Sequence, residues 1–305
     1  MRETVFFKQA ELLLRVLPLI QAESVFALKG GTAINFFVRD LPRISVDIDL
    51  AYLPVNDRET ALGQMSDALN RVSEMIERRV PGTQIVQRKV SGGDSLKGMI
   101  VRREGVTVKI EPNQVLRGAV YEPETRLLCA KAEEIFELSM ETRTLSTGDL
   151  YGGKTCAALD RQHPRDLFDI RVLLSNEGFP KQIRKAFIVY LISHDRPIFE
   201  VLNPNLTDIS PIFEKEFRGM VTEPVTSEQL AETRQELIER ISAELTVEEK
   251  QFIVSVKEGR PQWELLELDG VENLPAVRWK LLNIAKIDPH KHRKAVRRLR
   301  DYLGV

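Results

Sequence analysis

Residues 29–50 read KGGTAINFFVRDLPRISVDIDL, and this stretch decides the fold. It follows a short apolar run, Val25 to Leu28, that has the length of a buried strand. The run breaks at Gly30 and Gly31, where backbone can turn sharply or approach a ligand closely. A helix is predicted from Thr32 to about Arg39 and ends at Leu41-Pro42-Arg43, because a proline disfavours helical geometry in the residue before it. A second strand is predicted from Ile44 to about Tyr52. Within it Val46, Ile48 and Leu50 alternate with Ser45, Asp47 and Asp49, so one face is apolar and the other carries two carboxylates about 6.6 Å apart along the backbone. Two negative charges at that separation repel by about 2.5 kcal/mol at an effective dielectric of about 20. A hard divalent cation, bound jointly by carboxylates and substrate phosphates, relieves that repulsion. The competing reading is a solvated strand face whose acids serve solubility.

A strand, a Gly-Gly turn, a helix and a D-x-D strand resemble the opening of the nucleotidyltransferase fold of the DNA polymerase β type. The stretch GGTAINFF, followed by Arg43, Ser45, Asp47, Asp49 and Leu50 in the pattern R-x-S-x-D-x-D-L, is similar to the AbiEii/AbiGii toxin family, which includes the MenT toxins. The resemblance implies an α+β protein, with a mixed sheet flanked by helices and followed by an all-α C-terminal domain. It implies nucleotide binding at Gly30, Gly31, Thr32, Arg43 and Ser45, with the glycine-rich turn over the triphosphate of an NTP. It also implies a metal, Mg²⁺ or Mn²⁺, on Asp47 and Asp49.

With 305 residues, 43% of them hydrophobic and 29% charged, the chain can bury a substantial core in one large or two modest domains. A net charge of −1 means that nucleic-acid binding needs a local basic patch. Cys129 and Cys156 are too few for a disulfide framework, and no metal-spaced Cys/His cluster exists. The first twenty residues mix charges among apolar residues and contain no uninterrupted stretch of signal-peptide or membrane-span length, so a cytoplasmic protein without a membrane partner is expected.

Phe6, Phe7, Ala10, Leu13, Leu14 and Leu17 recur at helical spacing, and Pro18 does not suit the interior of that helix. A second helix is predicted from about Arg58 to Arg78, capped by Asn56. Strands are predicted over Gln84–Val90, Gly98–Arg103 and Val106–Glu111, separated by SGGDS at 91–95 and by Glu104-Gly105. In the last of them Thr107, Lys109 and Glu111 share the polar face. Polymerase-β-type transferases carry a third acid on a later strand, and Glu111 has the matching strand pattern and order, either as a metal ligand or as acceptor of a proton from the attacking hydroxyl. The other reading is an edge-strand Lys109/Glu111 pair in solvent.

A helix at 131–138 leads to the second cluster, DLYGGKTCAALDRQHPRDLFDIRVLL, from Asp149. Residues 148–155 formally match the G-x-x-x-x-G-K-[ST] phosphate loop, but 141–147, ETRTLST, does not read as the buried strand that such a loop needs. Lys154 is instead expected to start a helix, and His163-Pro164 to precede another that places Asp166 and Asp169 on one face. Lys154, Ala157, Ala158, Leu159, Arg161, Arg165, Asp166 and Asp169 resemble the second signature of the same family. There the lysine contacts the nucleotide phosphates and a downstream Asp, here Asp166 or Asp169, is required for activity. Internal ion pairing of Arg165 with these acids is the structural alternative.

From Phe179 helical stripes dominate, so the expected division is 1–178, a nucleotidyltransferase domain with catalytic helices, and 179–305, a helical domain. The stretches LTVEEKQFIVSVKEGRPQWELL and LPAVRWKLLNIAKI also resemble the helical C-terminal region of the family. The last helix carries Lys291, Arg293, Lys294, Arg297, Arg298 and Arg300, which is either a patch for phosphates or a solvated face. The resemblance implies a nucleotidyltransferase toxin that moves NMP from an NTP to RNA, with the tRNA 3′ end as acceptor, and that has a cognate antitoxin. A kinase on the same fold and a non-catalytic nucleotide- or RNA-binding module are the alternatives.

Overall fold

Strand-forming runs collect early in the chain, and in the computed structural model, which describes residues 4–90 and 92–305, all strands lie between Phe26 and Thr144. Among the described residues the chain falls into two compact units, one running to Ser146 and including Gly219–Pro224, the other comprising Thr147–Arg218 and Val225–Val305. The fold class is α+β.

In the first unit α1 (Val5–Ile20) precedes β1 (Phe26–Lys29), α2 (Gly30–Ala33), β2 (Asp47–Tyr52) and α3 (Arg58–Arg79). Three strands follow, β3 (Gln84–Lys89), β4 (Leu96–Arg103) and β5 (Val106–Pro112), and then β6 (Glu124–Leu127), α4 (Ala130–Phe136) and β7 (Glu141–Thr144). The strand order is β3-β4-β5-β2-β1-β7-β6. It is mixed: β2 pairs parallel with β5 and β1 parallel with β7, while the other pairs are antiparallel. The alternation that predicts β2 and β5 is the reason they sit centrally, since Ile48, Leu50, Val108 and Ile110 are fully buried.

Several local expectations need correction. The helix after the glycines begins at Gly30 and widens into a π-helical turn at Ile34–Val38, where Arg39 N–H reaches back five residues to the Ile34 carbonyl at 2.8 Å. Residues 43–46 precede the strand, which starts at Asp47; Arg43 instead bridges to Val221, and Ile44 N–H donates to the Met220 carbonyl. Asp57, not Asn56, caps α3, accepting from Thr60 N at 2.9 Å. Pro18 lies inside α1, in its last turn, although it lacks the N–H that would donate to the carbonyl four residues back. β6 and β7 carry no apolar alternation. β7 buries Thr142 and Thr144, β-branched residues that suit a strand. Ser91 of the predicted SGGDS turn lies outside the described residues.

The second unit is helical throughout its described residues: α5 (Thr147–Arg161), α6 (Pro164–Asn176), α7 (Lys181–Ser193), α8 (Ile198–Leu202), α9 (Ser210–Glu216), α10 (Ser227–Glu244), α11 (Val247–Glu258), α12 (Pro275–Ala285) and α13 (Pro289–Leu303). α5 packs on α7 and α6 on α10, so the helices at 147–176 cluster with those that follow them. Two capping boxes, Thr226 with Gln229 and Thr246 with Glu249, start α10 and α11. Among the described residues no helix is long and apolar enough to cross a membrane.

Two glycines separate helix entropy from close packing. A Cβ at Gly63, on exposed α3, meets nothing within 4 Å, whereas one at Gly152 would lie 2.7 Å from Phe187 N and 2.8 Å from the Ala186 carbonyl carbon. Urea denaturation should show Gly63→Ala raising stability by about 0.5–1 kcal/mol. The same method should show Gly152→Ala lowering it by about 1–3 kcal/mol, because the obstruction is backbone.

Candidate active site

The first cluster is built by the ends of β1, β2 and β5. Gly30 follows β1 with φ at +72°, in the left-handed region, and a Cβ there would lie 2.6 Å from Asp49 Oδ2. Only glycine satisfies both demands. A Cβ at Gly31 would fall 2.6 Å from Arg43 Nη2 and 3.0 Å from Ser45 Oγ. The turn therefore rests directly on the side chains of the residues that lead into β2. Thr32 donates its hydroxyl to the Asp47 carbonyl at 2.5 Å and lies 3.0 Å from Ser45 Oγ. Arg43 donates to the Ile44 carbonyl at 3.0 Å. Thr32, Arg43 and Ser45 are all buried, so these three of the expected nucleotide-binding residues brace the turn from below.

On β2, Asp47 and Asp49 are half-buried and share a face, opposite buried Ile48 and Leu50. Register sets their neighbours. Asp49 lies abreast of Glu111 on β5 and of Lys29 on β1, and Asp47 lies abreast of Lys109. Glu111 is thus brought beside the D-x-D pair, as the order of strands suggested. Its carboxylate is engaged, with Arg88 of β3 on Oε1 and Lys109 on Oε2 at 2.5 Å. Among the described residues no group of three or more His, Cys, Asp and Glu side chains is gathered to hold a metal ion unaided. Asp47 and Asp49 nevertheless present the oxygen donors that suit a hard cation shared with substrate phosphates, which supply the remaining ligands. Sequence reasoning missed Arg88, whose contact with Glu111 depends on register across three strands.

The second cluster joins α5 to α6. Lys154 lies in the middle of α5, where the sequence placed a helix start, and is only 7% exposed. Its Nζ is 3.0 Å from Asp166 Oδ1 and 2.9 Å from Asp169 Oδ2, and Arg161 Nη2 is 2.7 Å from Asp166 Oδ2. The two acids are buried one helical turn apart on α6, with Pro164 in the first turn as expected. Burial pushes the Asp166 carboxyl up, but Lys154 and Arg161 more than offset this and hold it at about 2. A carboxylate held that low is a weak proton acceptor at neutral pH, which favours Asp166 as the partner that orients Lys154. Asp149, which opens the second cluster in sequence, is buried in the first turn of α5 and accepts from Tyr190 Oη at 3.1 Å.

A short strand, β7, does precede Gly148–Thr155, with Thr142 and Thr144 buried and Glu141 exposed. The phosphate-loop reading still fails, for another reason: 147–161 is one continuous helix, and its glycines admit α7, with a Cβ at Gly153 only 3.3 Å from Tyr190 Cε1.

Lys154→Met would leave two buried carboxylates without their shared cation and should cost about 3–5 kcal/mol in urea denaturation. The carboxyl of Asp166 is depressed from 3.8 to about 2, so its stabilisation is fully present above 3.8 and is lost as pH falls toward about 2. The stability gap between the parent and Asp166→Asn should accordingly stay constant from neutral pH down to about 4 and close below it.

A family profile described as the AbiEii nucleotidyl transferase toxin of type IV toxin–antitoxin systems matches residues 11–283. Among solved structures, MenT4, a nucleotidyltransferase toxin from Mycobacterium tuberculosis H37Rv, matches with a TM-score of 0.56 at 15% identity, covering 97% of this chain and 95% of that one. At that identity the likeness is one of fold. No curated protein sequence matches. The D-x-D strand beside its glycine turn and a family match over most of the chain agree, and the chain belongs to the AbiEii family of nucleotidyltransferase toxins, enzymes of type IV toxin–antitoxin systems that use an NTP and are paired with an antitoxin.

Proposed function

We propose that this enzyme transfers NMP from an NTP to the 3′ end of an RNA, with tRNA as the acceptor, and so blocks translation in the cytoplasm. The observation that carries the reading is the acid row: Asp49 packed against a turn that only glycine can form, with Asp47 on the same strand face and Glu111 abreast.

Asp47 and Asp49 would hold the divalent cation, Mg²⁺ or Mn²⁺, with Glu111 as the third acid. When bound, the cation supplies positive charge against the triphosphate and the departing pyrophosphate. Gly30 and Gly31 let backbone N–H groups come close to the phosphate oxygens. The acceptor hydroxyl attacks the α-phosphorus, the bond to the bridging oxygen of the β-phosphate breaks, and the hydroxyl proton passes to a carboxylate, for which Glu111, abreast of Asp49, is the candidate. Lys154 enters through the family pattern as a phosphate contact, oriented by Asp166 and Asp169.

A polyanionic acceptor is supported by α13. Leu299 and Leu303 bury one side of this helix, and Arg293, Lys294 and Arg297 fall within about 100° of arc on the other. Arg300 pairs with Glu258, and Arg298 lies over the Phe199 ring. Lys291, Arg293, Lys294 and Arg297 are exposed and, among the described residues, have no ion-pair partner. The apolar side is already covered by protein, which suits contact with phosphates better than insertion into a membrane.

Incubation with Mg²⁺, total tRNA and each α-³²P-labelled NTP should label tRNA with the parent and not with Asp47→Ala/Asp49→Ala. Exchanging the four free cations of α13 for Gln should flatten the salt dependence of tRNA binding by about 0.7–0.9 log unit per lost phosphate contact, with NTP binding unchanged. Label on a protein from γ-³²P-NTP, with none in RNA, would contradict the proposal and identify a kinase.

A further inference from the structure

Arg88 and Glu111 are separated by a whole strand. Arg88 on β3 is paired with Gly98 on β4, and the pairing of Met99 with Ile110 continues the register to set Gly98 beside Glu111 on β5. The position between the two charged groups is therefore one without a side chain. A Cβ there would lie 2.5 Å from the Ile110 carbonyl oxygen and 2.9 Å from Glu111 Cγ, in the space that the Arg88–Glu111 contact needs. Through this gap Arg88 Nη1 reaches Glu111 Oε1, and Lys109 holds Oε2 from the same strand. Both ion-pair partners are half-buried, at 32% and 28% exposure, unlike a freely solvated surface pair. The row runs on from Glu111 to Asp49 and Lys29 across five strands.

We infer that Arg88 is a positioning residue of the active site: reaching through the gap at Gly98, it acts with Lys109 as a stand-in cation that holds Glu111 in the acid row, and it gives up Oε1 when the metal and nucleotide enter. This rests on the reading of Glu111 as the third acid. In the free protein the two internal cations keep three neighbouring carboxylates from repelling one another. The same cations compete with a divalent ion for Glu111, so the site closes around metal only when nucleotide phosphates contribute ligands as well. A residue that served β-sheet packing alone would have no effect on metal affinity.

The test is Mn²⁺ binding without turnover, read by electron paramagnetic resonance with a non-hydrolysable NTP present, on the parent, Arg88→Met, Arg88→Lys and Glu111→Gln. Circular dichroism would establish that each variant is folded. Arg88→Met should tighten Mn²⁺ binding by about tenfold through loss of one competing charge, and Arg88→Lys should fall between it and the parent. Glu111→Gln should weaken binding. Weakening in Glu111→Gln with unchanged or weakened binding in Arg88→Met would overturn the inference and leave Glu111 as a ligand. No change in Glu111→Gln would overturn the reading on which the inference stands, and the inference with it.

Discussion

The repulsion between Asp47 and Asp49, two residues apart on one strand face, is the constraint on which the first unit is organised. A sheet tolerates such a pair when its neighbours answer the charge, and register places Lys29 on one side of Asp49 and Lys109 beside Asp47. Glu111 adds a third carboxylate to the same face, and Arg88 and Lys109 balance it. The Gly30 turn contributes space: with no Cβ, it lets Asp49 stand against the backbone at a distance that no other residue permits. Charge and close approach together bring the backbone of the Gly30 turn, three carboxylates and their basic neighbours to one place.

The second unit solves the mirror problem. A buried lysine is costly, and Lys154 is answered by two buried aspartates one turn apart on the neighbouring helix. Arg161 supplies a further positive charge to Asp166 from the end of α5. Removing Lys154 takes from two buried aspartates the cation they share, so the cluster fixes the α5–α6 packing as well as the orientation of its lysine. The glycines before Lys154 serve a different contact, the packing of α5 on α7, whose backbone comes within 2.7 Å of a Cβ placed at Gly152.

Much of this was legible in the sequence wherever a period carried it. Two-residue alternation exposes the face shared by Asp47 and Asp49 and the polar position of Glu111, and the Gly-Gly break marks the turn. Helical spacing and Pro164 locate α6 and its two acids. What escaped depends on contacts distant in sequence. Arg88 and Gly98 acquire meaning only through the register of β3 on β4 and β4 on β5. Thr142 and Thr144 look polar in a list of residues, yet β7 buries both. Thr32, Arg43 and Ser45 match the family pattern, and that all three are buried is something the pattern does not encode. The cap of α3 lies one residue from where it was expected: Asn56 donates Nδ2 to the Tyr52 hydroxyl at 3.0 Å, and Asp57 accepts from Thr60 N.

The most direct measurement is anomalous diffraction from crystals grown with Mn²⁺ and a non-hydrolysable NTP. The account predicts a manganese peak coordinated by Asp47 and Asp49 and by phosphate oxygens lying over the Gly30–Gly31 turn. A nucleotide bound elsewhere, with no manganese between those two carboxylates, would contradict it.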